Sequence, residues 1–149
     1  MDRTVAVLIT AGVGGLLATQ APINGQLGIH VGKLQAALIS FMVGTALLSV
    51  IVFVFAGGFD QGFGIGVVPW YYFIGGLLGA AYITTVIFTV GTLGAGGITA
   101  ATISAQLVTS MFIDRIGAFG LEKQPITWSR LFGVGLLAIG TYLIVAGRK

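Results

Sequence analysis

Cysteine is absent from the 149-residue chain. Disulfides and thiol chemistry are therefore excluded, and cysteine says nothing about compartment. Charge is nearly as scarce: Asp, Glu, Lys and Arg make up only 7% of the residues, against roughly 25% in soluble domains. So few charges cannot cover a globular surface. With 56% hydrophobic residues and a mean hydropathy of +1.06, the chain reads as an integral membrane protein. Alternating polarity, which a membrane-spanning barrel requires, is missing from its long continuous apolar runs. Helices are the spanning option that remains.

Other absences narrow the function. Single His30 has no second ligand at metal spacing, so no metal or other cofactor is expected. The glycine-rich Gly94-Ala95-Gly96-Gly97 has no following Gly-Lys-Ser/Thr and no preceding strand, which rules out a phosphate cradle. No Ser/His/Asp set can be assembled within the spans, and the reading is a non-enzyme. The net charge of +3 sits at helix ends, where it suits anionic lipid headgroups; it forms no basic stripe for nucleic acid.

Five hydrophobic segments are expected, at about 5–26, 34–56, 68–90, 95–113 and 128–146, in one transmembrane domain covering 1–149. The first is too long and polar-tailed for a signal peptide, and is read as retained. Gly57-Gly58-Phe59-Asp60-Gln61-Gly62 reads as a turn-rich loop. Pro69 suits a first helical turn, and Trp70-Tyr71-Tyr72 suit a headgroup-level belt. Only Gly91-Thr92-Leu93-Gly94 separates segments three and four, which predicts a tight helical hairpin. Small residues recur at four-residue spacing in Ala36/Ser40/Gly44, Gly75/Gly79 and Ala100/Ser104. Such rows let helix backbones approach closely where lipid supplies no hydrophobic drive.

Polar residues within these spans are the candidate site. Gln20 and Asn24 are four apart and share a helix face, with Pro22 between them. Proline has no N–H and crowds the carbonyl four residues back, so a kink or helix break is expected there. Gln20, Asn24 and Gln106 are read as substrate-lining amides, with interhelical hydrogen bonding as the competing role. Tyr82 and Ser40 are added as candidate lining residues, although a hydroxyl in a membrane helix commonly bonds its own backbone. Asp114 and Arg115 close segment four. They read either as an interfacial anchor or as a gate or coupling group. Lys33 is expected to snorkel.

Five spans put the termini on opposite sides. Arg3, Arg115, Lys123 and Arg130 then face Lys33, Arg148 and Lys149, four against three. Orientation follows a clear Lys/Arg excess, which is lacking here. Insertion both ways would let two opposed copies form an inverted-repeat assembly.

The segments also resemble a known family. The carriers are Gln20-Ala21-Pro22-Ile23-Asn24 with Leu27-Gly28, then Ala37-Leu38-Ile39-Ser40-Phe41 with Gly44-Thr45. Trp70 and Gly75-Gly76-Leu77-Leu78-Gly79-Ala80 with Tyr82 follow, then Leu93-Gly94-Ala95, Gln106-Leu107, Thr109-Ser110 and Ile113-Asp114. Arg130-Leu131, Gly133 and Gly140 complete the set. Together they resemble the short, five-helix YdcZ-type proteins of the drug/metabolite transporter superfamily. The resemblance implies a multi-pass protein of the bacterial inner membrane that exports a small molecule. It also implies half of a ten-helix inverted-repeat bundle, completed by an antiparallel homodimer or a homologous five-helix partner. The chain departs from the superfamily's four-helix multidrug exporters, which rely on a membrane-embedded glutamate. No Asp or Glu lies mid-span here, which argues against carboxylate-coupled export of organic cations. A small dual-topology ion channel and a non-transporting membrane subunit are the alternative readings.

Overall fold

The structure is a computed structural model, and it describes residues 2–58 and 68–147. Among them every regular element is helical. The main helices are α1 (Arg3–Val31), α2 (Lys33–Phe55), α3 (Ile74–Ile116) and α4 (Trp128–Ala146). All four are long and apolar enough to cross a membrane. Short 3-10 turns occupy Trp70–Phe73, just before α3, and Ala118–Gly120. Pro69 precedes the first of these rather than entering a helix.

Two junctions are shorter than the sequence suggests. Between α1 and α2 stands Gly32 alone: its N–H donates to the Gly28 carbonyl, and its own carbonyl accepts from Ala36 N–H. It both ends one helix and begins the next, at φ 92° and ψ 145°. That combination suits glycine almost alone, because a Cβ would clash there. Within α3 the expected four-residue turn at 91–94 contracts to one residue. Helical structure runs on through Gly91 to Leu93, and only Gly94, at φ 66° and ψ 170°, departs from it. Backbone amides in an apolar setting need partners, and a one-residue break leaves the fewest without one.

At Pro22 the expected helix break does not occur. Helix α1 runs through Pro22 as a single element, with Ala21, Asn24 and Gly28 buried on one face. A proline deletes only one backbone hydrogen bond, and the buried face of α1 begins beside it, at Ala21. Gly57 and Gly58 form the start of the expected loop with φ of 70° and 81°. Phe59-Asp60-Gln61-Gly62 lie outside the described residues, as do Arg148 and Lys149 of the charge balance.

The chain separates into two compact units. One is Thr19–Gly91. Its core is Ala36 and Ala37 of α2 against Ile83 and Ile87 of α3, with Leu27 alongside. The Phe41 ring lies 3.5 Å from where a Cβ on Gly79 would stand. Contacts thus run from Ala36 to Phe41 on α2 as they descend from Ile87 to Gly79 on α3. These two helices are antiparallel. Alanines on one side and branched side chains on the other allow the close approach that dispersion forces need in lipid.

The other unit is Met1–Ala18 with Thr92–Lys149. Here the second part of α3 and α4 form an antiparallel hairpin. Gly96 and Gly97 lie under Ile144 and Val145, Ser104 meets Thr141, and Asp114 meets Arg130. The connecting loop is tied by Gln124 N–H donating to the Asp114 carbonyl, and the Thr127 hydroxyl caps α4 by accepting from Arg130 N–H. Helix α4 buries no residue, and its apolar side chains are turned outward. In water such a surface would aggregate; in a bilayer it meets acyl chains at no cost.

Candidate functional site

Asn24 is the polar side chain that burial singles out. It sits on α1 at 5% exposure, among residues otherwise apolar at that level. Its Nδ2 has no hydrogen-bond partner among the described residues. An unpaired buried amide costs roughly 1–3 kcal/mol, and more where no water reaches it. Folding does not need this cost, since a leucine of similar size would fill the same volume without it. A polar group kept at such expense is a site candidate with a physical reason.

Its surroundings are set by glycine. Gly25 adjoins it and Gly28 lies one turn further along the same helix. Added methyl groups there would approach Val90 Cγ1 to 2.6 Å and Ile87 Cγ2 to 3.1 Å. The two glycines therefore let the α3 side chains close over α1 beside the amide. Lys33 packs on the far side of Gly28, its Cα and Cγ each 3.6 Å from that same position. The Lys33 Nζ stands 4.7 Å above the Phe88 ring, in cation–π range. No acidic side chain pairs with it among the described residues. His30 turns back on its own helix, its Nδ1–H donating to the Gln26 carbonyl at 2.8 Å. It stands apart from any cluster of potential metal ligands, of which the described residues hold none.

The remaining candidates divide between the units. Gln20, Ser40 and Tyr82 share the Thr19–Gly91 unit with Asn24. Gln20 and Ser40 are half-buried, whereas Tyr82 is exposed. Gln106, Asp114 and Arg115 belong to the other unit. Gln106 is exposed near the middle of the α3 segment that follows Gly94. Asp114 is paired at 3.2 Å, but its partner is Arg130 and not the adjacent Arg115, which is exposed. Adjacent residues on a helix point about 100° apart, so the sequence neighbour is badly placed to be the ionic one.

One polar cluster escaped the sequence reading in part. Ser104 Oγ and Thr141 Oγ1 are 2.6 Å apart, and both approach the Ala100 carbonyl, at 2.9 and 3.1 Å. Two hydroxyl protons serve three contacts, so at any moment one contact is without a proton. The simplest chain has Thr141 donating to Ser104 and Ser104 donating to Ala100. Ser104 stands out in the sequence through its small-residue row; Thr141 does not, because nothing local ties it to a residue 37 positions away. Beside this cluster runs an open groove of about 690 Å³, lined by small and hydroxyl side chains that include Ala101, Ala105, Thr109 and Ala138.

Comparison with known proteins adds the family. A family model described as "Putative inner membrane exporter, YdcZ" matches residues 5–143. The inner membrane protein YdcZ of Escherichia coli K12 is 25% identical over 146 residues, covering 95% of this chain and 93% of that protein. No solved structure matches.

Proposed function

The chain belongs to the YdcZ family of inner membrane exporters, and from that premise we propose that it is a secondary transporter for a small molecule, working by alternating access. The observation that carries this reading is Asn24: an amide with an unused donor, buried in a bundle that is otherwise apolar. Scaffold helices in lipid gain nothing from such a group, whereas a cargo site gains a specific contact.

Helix lengths support a further part of the reading. Helix α3 has 43 residues, about 65 Å at 1.5 Å per residue, roughly twice the thickness of a hydrocarbon core. The departure at Gly94 divides it near its middle into two pieces of one bilayer thickness each. Counted so, the chain crosses five times and its ends lie on opposite sides. It is then half of a ten-helix inverted-repeat assembly, completed by an antiparallel second copy or by a homologous five-helix chain. On this reading Gln20 and Asn24 of the Thr19–Gly91 unit line the pathway, with Ser40 and Tyr82 of the same unit alongside.

The test is reconstitution of the purified chain in proteoliposomes. Wild type moves cargo at a rate that saturates with concentration, and Asn24→Leu inserts normally but does not transport. Transport unchanged by Asn24→Leu refutes the site. Fluxes of thousands of ions per second or more would instead identify a channel, and complete inactivity of the purified chain would leave a non-transporting subunit. A reporter fused after Lys149 should be found on both sides of the membrane if two opposed copies assemble.

A further inference from the structure

We propose that the cargo site of the Thr19–Gly91 unit selects an oxyanion, a carboxylate or phosphate-type group, over a cation. The inference rests on the transporter reading above and names its substrate class. Three observations in that one unit carry it. Asn24 Nδ2 is a donor without an acceptor, so what it lacks is an oxygen lone pair. Lys33, which leans on Gly28 one turn beyond Asn24, carries a positive charge that no carboxylate neutralises among the described residues. Its ammonium stands over the face of Phe88, a contact that leaves ammonium protons free. Finally, no acidic residue stands among the described residues of the unit; its single one, Asp60, lies outside them.

The chemistry follows from the signs. A cation entering this unit would meet the Lys33 ammonium with no carboxylate among the described residues to offset it. An oxyanion would accept a hydrogen bond from Asn24 and a charge-assisted one from Lys33. Gly28 follows Asn24 by one turn on α1, and Lys33 packs on it, with Ile87 of α3 covering the same position. In the present state Ile87 and Val90 close over the neighbouring glycines, and a ligand reaches Asn24 only when α3 moves aside, as alternating access requires.

Three molecules of one shape and different charge separate the possibilities: benzoate, benzamide and benzamidine. Thermal unfolding of the full chain in a nonionic detergent reads binding. Benzoate should stabilise at concentrations about tenfold lower than benzamide, the gain of one charge-assisted hydrogen bond, and benzamidine should not stabilise at all. Lys33→Gln should erase the preference of benzoate over benzamide, and Lys33→Arg should restore it. Lys33 is exposed, so neither change threatens folding. Asn24→Leu should weaken benzoate and benzamide alike. Benzamidine binding as well as benzoate, no benzoate effect, or a preference untouched by Lys33→Gln would each overturn the inference. Stabilisation by phosphatidylglycerol but not by benzoate would assign Lys33 to lipid phosphate and overturn it too. Flux of labelled benzoate in proteoliposomes keeps the two readings apart. Binding without flux sinks the transporter and spares the oxyanion site. Benzamidine flux that ignores Lys33 spares the transporter and sinks the site.

Discussion

The two units solve the same packing problem with opposite chemistry. In Thr19–Gly91, alanines meet isoleucines, and the buried amide of Asn24 has no partner for its Nδ2 among the described residues. In the other unit, the antiparallel pair is fastened by hydroxyls sharing a carbonyl and by an ion pair near the loop. Polar groups are thus satisfied where they hold helices together, and unsatisfied at Asn24. A polar group that stabilises the bundle has found its partner already; one that has not is available for something else. The contrast teaches which polar residue to test for function and which to test for stability.

The largest expected effect breaks the contrast at Asn24. Asn24→Leu should reduce transport by more than about tenfold, yet raise thermal stability, because the roughly 1–3 kcal/mol cost of an unpaired buried amide disappears. Flux in proteoliposomes and unfolding in detergent read the two halves of that statement. A variant that loses stability as well would return Asn24 to a structural role.

Next come the junction glycines, where the two units should behave alike. Gly32→Val and Gly94→Val force a branched side chain into positive φ, at a cost of about 1–3 kcal/mol each. Both should lower the yield of folded, detergent-stable protein, as size-exclusion profiles would show. If Gly94→Val is tolerated, α3 does not need its break.

A double-mutant cycle sharpens the hydroxyl side. Ser104→Ala and Thr141→Val should be coupled by about 0.6 kcal/mol, the size typical of interhelical hydrogen bonds in membranes, with no change in transport. Zero coupling would mean that each hydroxyl serves only its own backbone. The smallest effect belongs to Asp114. Its ion pair with Arg130 is partly exposed, so Asp114→Asn should cost under about 1 kcal/mol and leave transport intact. Loss of transport there would revive the gate reading of Asp114.

How much of this was legible in the sequence depended on whether the signal was local. Continuous apolar runs marked where long helices lie, and α4 spans 128 to 146, but α1 runs on to Val31 and α3 is continuous from Ile74 to Ile116 apart from Gly94. Gln20 and Asn24 shared a face as four-residue spacing required, but only the structure separated them, burying Asn24 and leaving Gln20 at the margin. Burial depends on which neighbours arrive from elsewhere in the chain, and beside Asn24 the glycines Gly25 and Gly28 meet Val90 and Ile87 of α3. At Pro22 the local preference of proline pointed to a break, yet α1 continues through it as one helix. The ionic partner of Asp114 was likewise out of reach of the sequence: Arg130, sixteen residues on, comes beside it only once α4 packs back on α3.

Gly32 has one more consequence. A joint of a single residue offers two torsions and no slack. Helix α2 has 23 residues, about 35 Å, so a change of about 20° at that joint swings its far tip by roughly 12 Å. Small adjustments beside Lys33 become large displacements at the opposite membrane face, with the Ala36–Ile87 contact near the pivot as fulcrum. A change of torsion at Gly32 is thereby magnified along the whole length of α2.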